Sequence, residues 1–89
     1  MKLRRDRLKI YEDILEHLSA QPISEKIVIT KIQLKTNVPF DRLKKYIKEM
    51  KNLDLIDENT LKITEKGKQY LIEYEAVLQF MNRMGLSYK

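Results

Sequence analysis

The sequence predicts a mostly α domain with one small β-hairpin and a long helix toward its C-terminal end. Three observations carry this reading. Apolar residues recur at spacings of three and four along four separate stretches. Prolines and polar turn residues separate those stretches. Two short runs around residues 55–63, joined by Glu58 and Asn59, stand between the third stretch and the fourth.

In helix one, from about Asp6 to Ser19, Ile10, Tyr11, Ile14, Leu15 and Leu18 make one face, and Glu12, Asp13, Glu16 and His17 fall on the other. Gln21 and Pro22 end it, because the residue before a proline is pushed out of helical geometry. The run Ile27, Val28, Ile29 reads either as a short strand or as the approach to the next helix. Thr30 is the expected N-cap of helix two, whose apolar contacts are Ile32 and Leu34 with Val38 beyond, and which ends near Thr36. Asn37 suits a left-handed turn position. Pro39 fits the first position of helix three, where its missing N–H costs nothing, and Asp41 in the first turn complements the helix dipole. Leu43, Tyr46, Ile47, Met50 and Leu53 form the expected buried stripe of that helix.

Leu55, Ile56 and Asp57, then Leu61, Lys62 and Ile63, read as a two-stranded hairpin. Two strands alone are marginal, so they must pack on the helices. Thr64 caps helix four, with Glu65 in its first turn and Gly85 in the C′ position just past its end. At 1.5 Å per residue this helix would extend about 30 Å. Its apolar residues Tyr70, Leu71, Tyr74, Val77, Leu78, Met81 and Met84 make two interleaved heptad-like seams, a band wider than one contact requires. The head can cover only the near end. The far end, around Val77 to Met84, needs another surface, and a second copy of the same helix supplies it most simply.

The order helix, helix, helix, hairpin, long helix is that of a winged helix-turn-helix with a long C-terminal dimerisation helix. Residues 1–63 form the head and residues 64–89 the last helix, its near end packed on that head.

With 89 residues the chain makes one small domain. The absence of Cys excludes disulfides and thiolate metal sites, and a single His leaves any metal to Asp and Glu. A cysteine-free chain fits an intracellular protein. No run approaches the roughly 20 apolar residues that span a bilayer, and MKLRRDRLK has no apolar core behind its charges, so no membrane partner or signal peptide is expected. The expected location is cytoplasmic.

Residues 24–51 hold eight Lys or Arg against three acidic residues, a net charge equal to the +5 of the whole chain. At 100° per residue Asp41, Lys45, Lys48 and Asn52 align away from the helix-three core, with Lys44 and Lys51 beside them. The bland reading is a solvated lysine surface, and Asp41 and Glu49 favour it. Concentration of the charge in the one segment with helix-turn-helix organisation favours double-stranded DNA as partner. Base reading would then fall to Arg42, Lys44, Lys45 and Lys48, with Phe40 placed to meet a thymine methyl and Lys62 adding a charge on the wing. The cluster Lys2, Arg4, Arg5, Arg7 and Lys9 reads equally as a phosphate-tracking arm or a frayed terminus. Tyr46, Tyr70 and Tyr74 read as core or interface residues, and His17 as an exposed residue whose partial charge suits the end of helix one.

No enzyme is expected. His17 lies far along the chain from Ser24 and Ser87, the pair Glu12 and Glu16 sits on a solvated helix face, and the two glycines make no phosphate loop. Neither a cofactor nor a small-molecule ligand is implied.

From TKIQLKTNVPFDRLKKYIKEM through LDLI to LKITEKGKQYLIEYEAVLQFM, the chain resembles a family of small archaeal winged-helix DNA-binding proteins of about ten kilodaltons. The most specific pieces are Thr30-Lys31-Ile32, the segment from Leu43 to Tyr46, and Thr64-Glu65-Lys66-Gly67. The resemblance implies a homodimer joined by an antiparallel coiled coil of the last helices, holding two heads apart on DNA. It implies DNA contact by Lys31, Lys35, Lys44, Lys45 and Lys48, and a dimer seam of Leu71, Tyr74, Leu78 and Met81. The chain departs from the family at Pro39, in lacking glycines before helix two, and in its acidic wing tip, Asp57 and Glu58. The expected role is a transcription regulator or a nucleoid-associated protein; the rival from another class is a winged-helix docking module for proteins.

Overall fold

The structure, a computed structural model, describes residues 6–86. Lys2, Arg4, Arg5 and Ser87 lie outside the described residues. Four helices follow one another: α1 (Arg7–Ser19), α2 (Ile29–Thr36), α3 (Phe40–Asn52) and α4 (Glu65–Arg83). The central piece is α1, which packs on both α2 and α4. Its whole apolar stripe, Ile10, Tyr11, Ile14, Leu15 and Leu18, is buried, and Ile32, Val38, Leu43, Ile47, Met50, Leu55 and Ile56 close the core around it.

The caps show why the helices start and stop where they do. Asp6 accepts a hydrogen bond from the Lys9 amide (3.1 Å), and the Thr64 hydroxyl oxygen accepts one from the Gly67 amide (3.0 Å), each satisfying an amide that the first helical turn leaves without a partner. Asn37 closes α2 at φ 57, as its type predicts. Two helices end in the same six-residue closure. Gly85 at φ 76 lets the Leu86 amide reach the Met81 carbonyl (2.7 Å), and Asp54 at φ 61 lets the Leu55 amide reach the Met50 carbonyl (2.9 Å).

Several sequence expectations are corrected. Thr30 is not the cap of α2: Val28 takes that position in extended geometry, and its carbonyl accepts from the Lys31 and Ile32 amides. Pro39 likewise stands one place earlier than expected, at the N-cap, where its carbonyl accepts from the Leu43 amide (2.8 Å). Leu34 is 84% exposed, because only Ile32 and Thr36 of α2 face α1. Leu53 is also exposed, since it follows the last full turn of α3.

The largest correction concerns the wing. Among the described residues no β-strand forms, and the expected hairpin reduces to one antiparallel bridge between Ile56 and Ile63. Local side-chain bonding replaces the ladder. The Asp57 carboxylate accepts from the Asn59 amide (2.9 Å), the Thr60 amide (2.7 Å) and the Thr60 hydroxyl (3.0 Å), and Leu61 turns into the left-handed region at φ 63. The chain is thereby bent too tightly for a second rung.

The start of α4 lies hard against this wing. A Cβ on Gly67 would collide with the Leu55 carbonyl oxygen and come within 2.7 Å of Ile63 Cγ1, so glycine is required by proximity alone. The Thr64 hydroxyl donates to the Asp54 carbonyl (2.7 Å) and the Lys66 ammonium to the Leu53 carbonyl (2.7 Å), which locks the wing between α3 and α4.

Candidate nucleic-acid interface

Helix α3 divides cleanly into two faces. Leu43, Ile47 and Met50 are buried in the core, which turns Asp41, Arg42, Lys44, Lys45 and Lys48 to solvent. Among the described residues no carboxylate pairs with any of these cations, or with Lys31 and Lys35 on the exposed side of α2. Cations held on a rigid helix without a carboxylate partner meet phosphate without first breaking an internal ion pair.

The second acid of α3 is withdrawn from that face. The Glu49 carboxylate accepts a hydrogen bond from the Tyr11 hydroxyl (2.6 Å) and lies 3.6 Å from Arg7 Nε, so its charge is directed into the α1–α3 seam. Burial and the adjacent Glu49 charge push the Tyr11 hydroxyl up to about 12. Glu49 therefore does not oppose the lysine stripe in the way its sequence position implied.

Other expected contact residues are already engaged. The Lys44 ammonium lies 5.5 Å above the half-exposed Phe40 ring, a cation–π pair that keeps both at the start of α3. Arg42 donates to the Tyr46 hydroxyl (3.3 Å). Lys62 is bonded to the Ile23 carbonyl and ties the wing to the α1–α2 loop, so it stands apart from the α3 stripe. The wing tip remains anionic, since backbone amides of Thr60 and Asn59 hold the Asp57 carboxyl below its ordinary range.

The tyrosines bridge the helices. Tyr11 meets Tyr46 edge-on at 6.2 Å and Tyr70 at 6.3 Å, and Tyr70 stacks on Tyr74 at 6.1 Å. Tyr70 also donates to the Leu8 carbonyl (2.6 Å). An aromatic chain thus runs from α3 through α1 into α4.

The residues expected in the dimer seam separate into two groups. Tyr74 and Met81 are buried within the protomer, and Leu71 and Leu78 are half-buried, with Leu71 against the core. Val77 and Met84 are exposed, and with them Ile72 (63%) and Phe80, which the sequence reading left out. At 100° per residue Ile72, Val77, Phe80 and Met84 share one arc of α4, next to the arc that faces α1. The spacing of four from Ile72 through Ala76 and Phe80 to Met84 is the signal that could have found it.

Among the described residues no group of acidic or imidazole side chains is arranged to hold a metal ion, and no helix is long and apolar enough to cross a membrane. Neither the curated proteins nor the solved structures contain a match to this chain. The family model described as winged helix-turn-helix matches residues 4–82, nearly the whole chain. Four helices in this order, a bent wing between the third and the fourth, and that match together place the chain in the winged helix-turn-helix family.

Proposed function

We propose that this chain binds double-stranded DNA as a homodimer, presenting α3 to the major groove, and acts as a transcription regulator or a nucleoid-associated protein. One observation carries the reading. The outward face of α3 offers Arg42, Lys44, Lys45 and Lys48 together, while Glu49 is held at the α1–α3 seam by a hydrogen bond from Tyr11 and an ion pair with Arg7. Lys31 and Lys35 extend the same charge along α2 to the phosphate backbone. Lysine makes point contacts rather than the paired fork of arginine, which favours broad over sharply sequence-specific binding. The exposed apolar arc of α4 supports the homodimer, with Ile72, Val77, Phe80 and Met84 as its contact residues.

The test is gel retardation of a duplex by the wild type and by the variant with Lys44, Lys45 and Lys48 all changed to Ala. The variant should lose retardation while its helical circular dichroism is unchanged; retention equal to wild type would refute the assignment. A dimer making about 6 to 10 phosphate contacts should also lose about 10³ to 10⁵ in affinity between roughly 50 and 200 mM salt.

A docking role toward another protein is the second reading, favoured by the ionised Asp57 and exposed Glu58 at the wing tip. It requires weak, salt-sensitive duplex binding together with a co-purifying partner.

A further inference from the structure

The last turn of α1 carries the single histidine of the chain, and the fold sets it beside α2. His17 is half-buried in the cleft between the two helices, with Lys35 and Thr36 on the far wall and Lys9, Asp13, Glu16, Ala20 and Gln21 on the near one. We propose that His17 joins Lys31 and Lys35 in one phosphate-binding cluster, and that it takes up a proton when the DNA backbone occupies that cleft. This inference rests on the DNA-binding reading above and extends it to α1.

The charged groups around the imidazole decide its behaviour. From α2, Lys31 and Lys35 repel a proton on it, and neither lysine has a carboxylate partner among the described residues. From α1 itself, Asp13 and Glu16 would attract one, but their charges are directed elsewhere. Asp13 lies 3.1 Å from the Lys9 ammonium, and Glu16 shares a hydrogen bond with Glu12, whose carboxyl is pushed up by burial and by that neighbour. The result is an imidazole held below its ordinary range, first by burial and then by Lys35 and Lys31.

A phosphate reverses the balance. Seated in the cleft at Lys35, with Lys31 close enough to act on the same imidazole, it cancels their repulsion and adds an attraction of its own, so the imidazole gains a proton in the complex that it lacks in the free protein. Linkage fixes the sign: a group that binds its proton more tightly in the complex makes affinity rise as pH falls. The free protein keeps the site neutral. The anion supplies the reason to charge it.

The experiment is fluorescence anisotropy of a labelled duplex at constant ionic strength, between about pH 8 and about pH 5.5, the span in which an ordinary histidine titrates. The wild type should bind roughly tenfold more tightly at the acid end, because His17 holds its proton more tightly in the complex than in the free protein. The His17→Gln variant, which has no group that titrates in this span, should lose the pH slope and stay nearly flat. Equal pH slopes in the two proteins overturn the inference while leaving DNA binding intact. Absence of wild-type binding at every pH overturns the DNA-binding reading, and this one with it. NMR titration of the His17 ring supplies the direct measure: its midpoint should rise when duplex is added, and an unmoved midpoint refutes the proposal. Unchanged circular dichroism in H17Q confirms that the fold is not the variable.

Discussion

Helices α3 and α4 begin from the same physical pattern and end with opposite outward surfaces. Each buries one stripe: Leu43, Ile47 and Met50 in the first, Gly67, Tyr74 and Met81 in the second. Away from that stripe α3 carries unpaired cations, whereas α4 carries Ile72, Val77, Phe80 and Met84. The inner face of a helix tells how the head is built; the outer face tells what it can meet. A lysine is stable in water and gains from a polyanion, but an exposed apolar arc gains only by leaving water.

The most severe test of this contrast charges the apolar arc. Val77→Glu together with Phe80→Glu should convert a dimer to a monomer in analytical ultracentrifugation, with helical content unchanged. Met81→Glu should act differently, because Met81 is buried within the protomer: a charge there lacks a partner and should lower the melting temperature sharply. If V77E/F80E leaves the mass untouched, α4 is not the joining surface.

Gly67→Ala comes next. Alanine usually gains roughly 1 kcal/mol over glycine inside a helix, yet here the new methyl would strike the Leu55 carbonyl, and we expect a loss of about 1–3 kcal/mol in denaturant unfolding. Tyr11→Phe should cost about 1 kcal/mol, since it leaves Glu49 with the half-exposed Arg7 alone. The raised Tyr11 hydroxyl gives that variant a pH signature. The folded state holds this proton more tightly than the unfolded chain does, so its contribution is intact below pH 10 and lost as pH climbs from 10 through about 12. Alkaline unfolding should therefore be shallower in Y11F than in wild type.

The smallest effect belongs to the wing. Because Lys62 is bonded to the Ile23 carbonyl, Lys62→Ala should change duplex affinity less than about twofold, whereas Lys48→Ala should weaken it several-fold and reduce the salt slope. Equal losses from the two would mean that the wing reaches the nucleic acid after all.

How far the sequence could be read follows from where each structural choice is made. The four helices, the left-handed turn at Asn37 and the cap at Thr64 are local, and periodicity with residue type is enough to place them, whereas the capping role of Asp6 is a detail that the helix-one periodicity alone does not give. The wing was misread because alternation of apolar residues at 55–63 says nothing about the Asp57 carboxylate capturing three donors, nor about Leu61 entering left-handed geometry. Leu34 and Leu53 were misplaced for a related reason: apolar character gives a tendency, and only the rotation of α2 and α3 against α1 decides which residues are covered. On α4 the same rotation divides a broad apolar band, sending Tyr74 and Met81 inward and Phe80 outward. Glu49 shows the limit most plainly, since no spacing rule announces that Tyr11, 38 positions earlier, will take up its carboxylate.

The run of rings from Tyr46 through Tyr11 and Tyr70 to Tyr74 has an optical consequence. The chain has no tryptophan, so its near-ultraviolet emission belongs to tyrosine, and rings about 6 Å apart share excitation before they emit. Light absorbed on the last helix can therefore be quenched beside the lysine stripe, and the protein carries its own unlabelled reporter of what settles there.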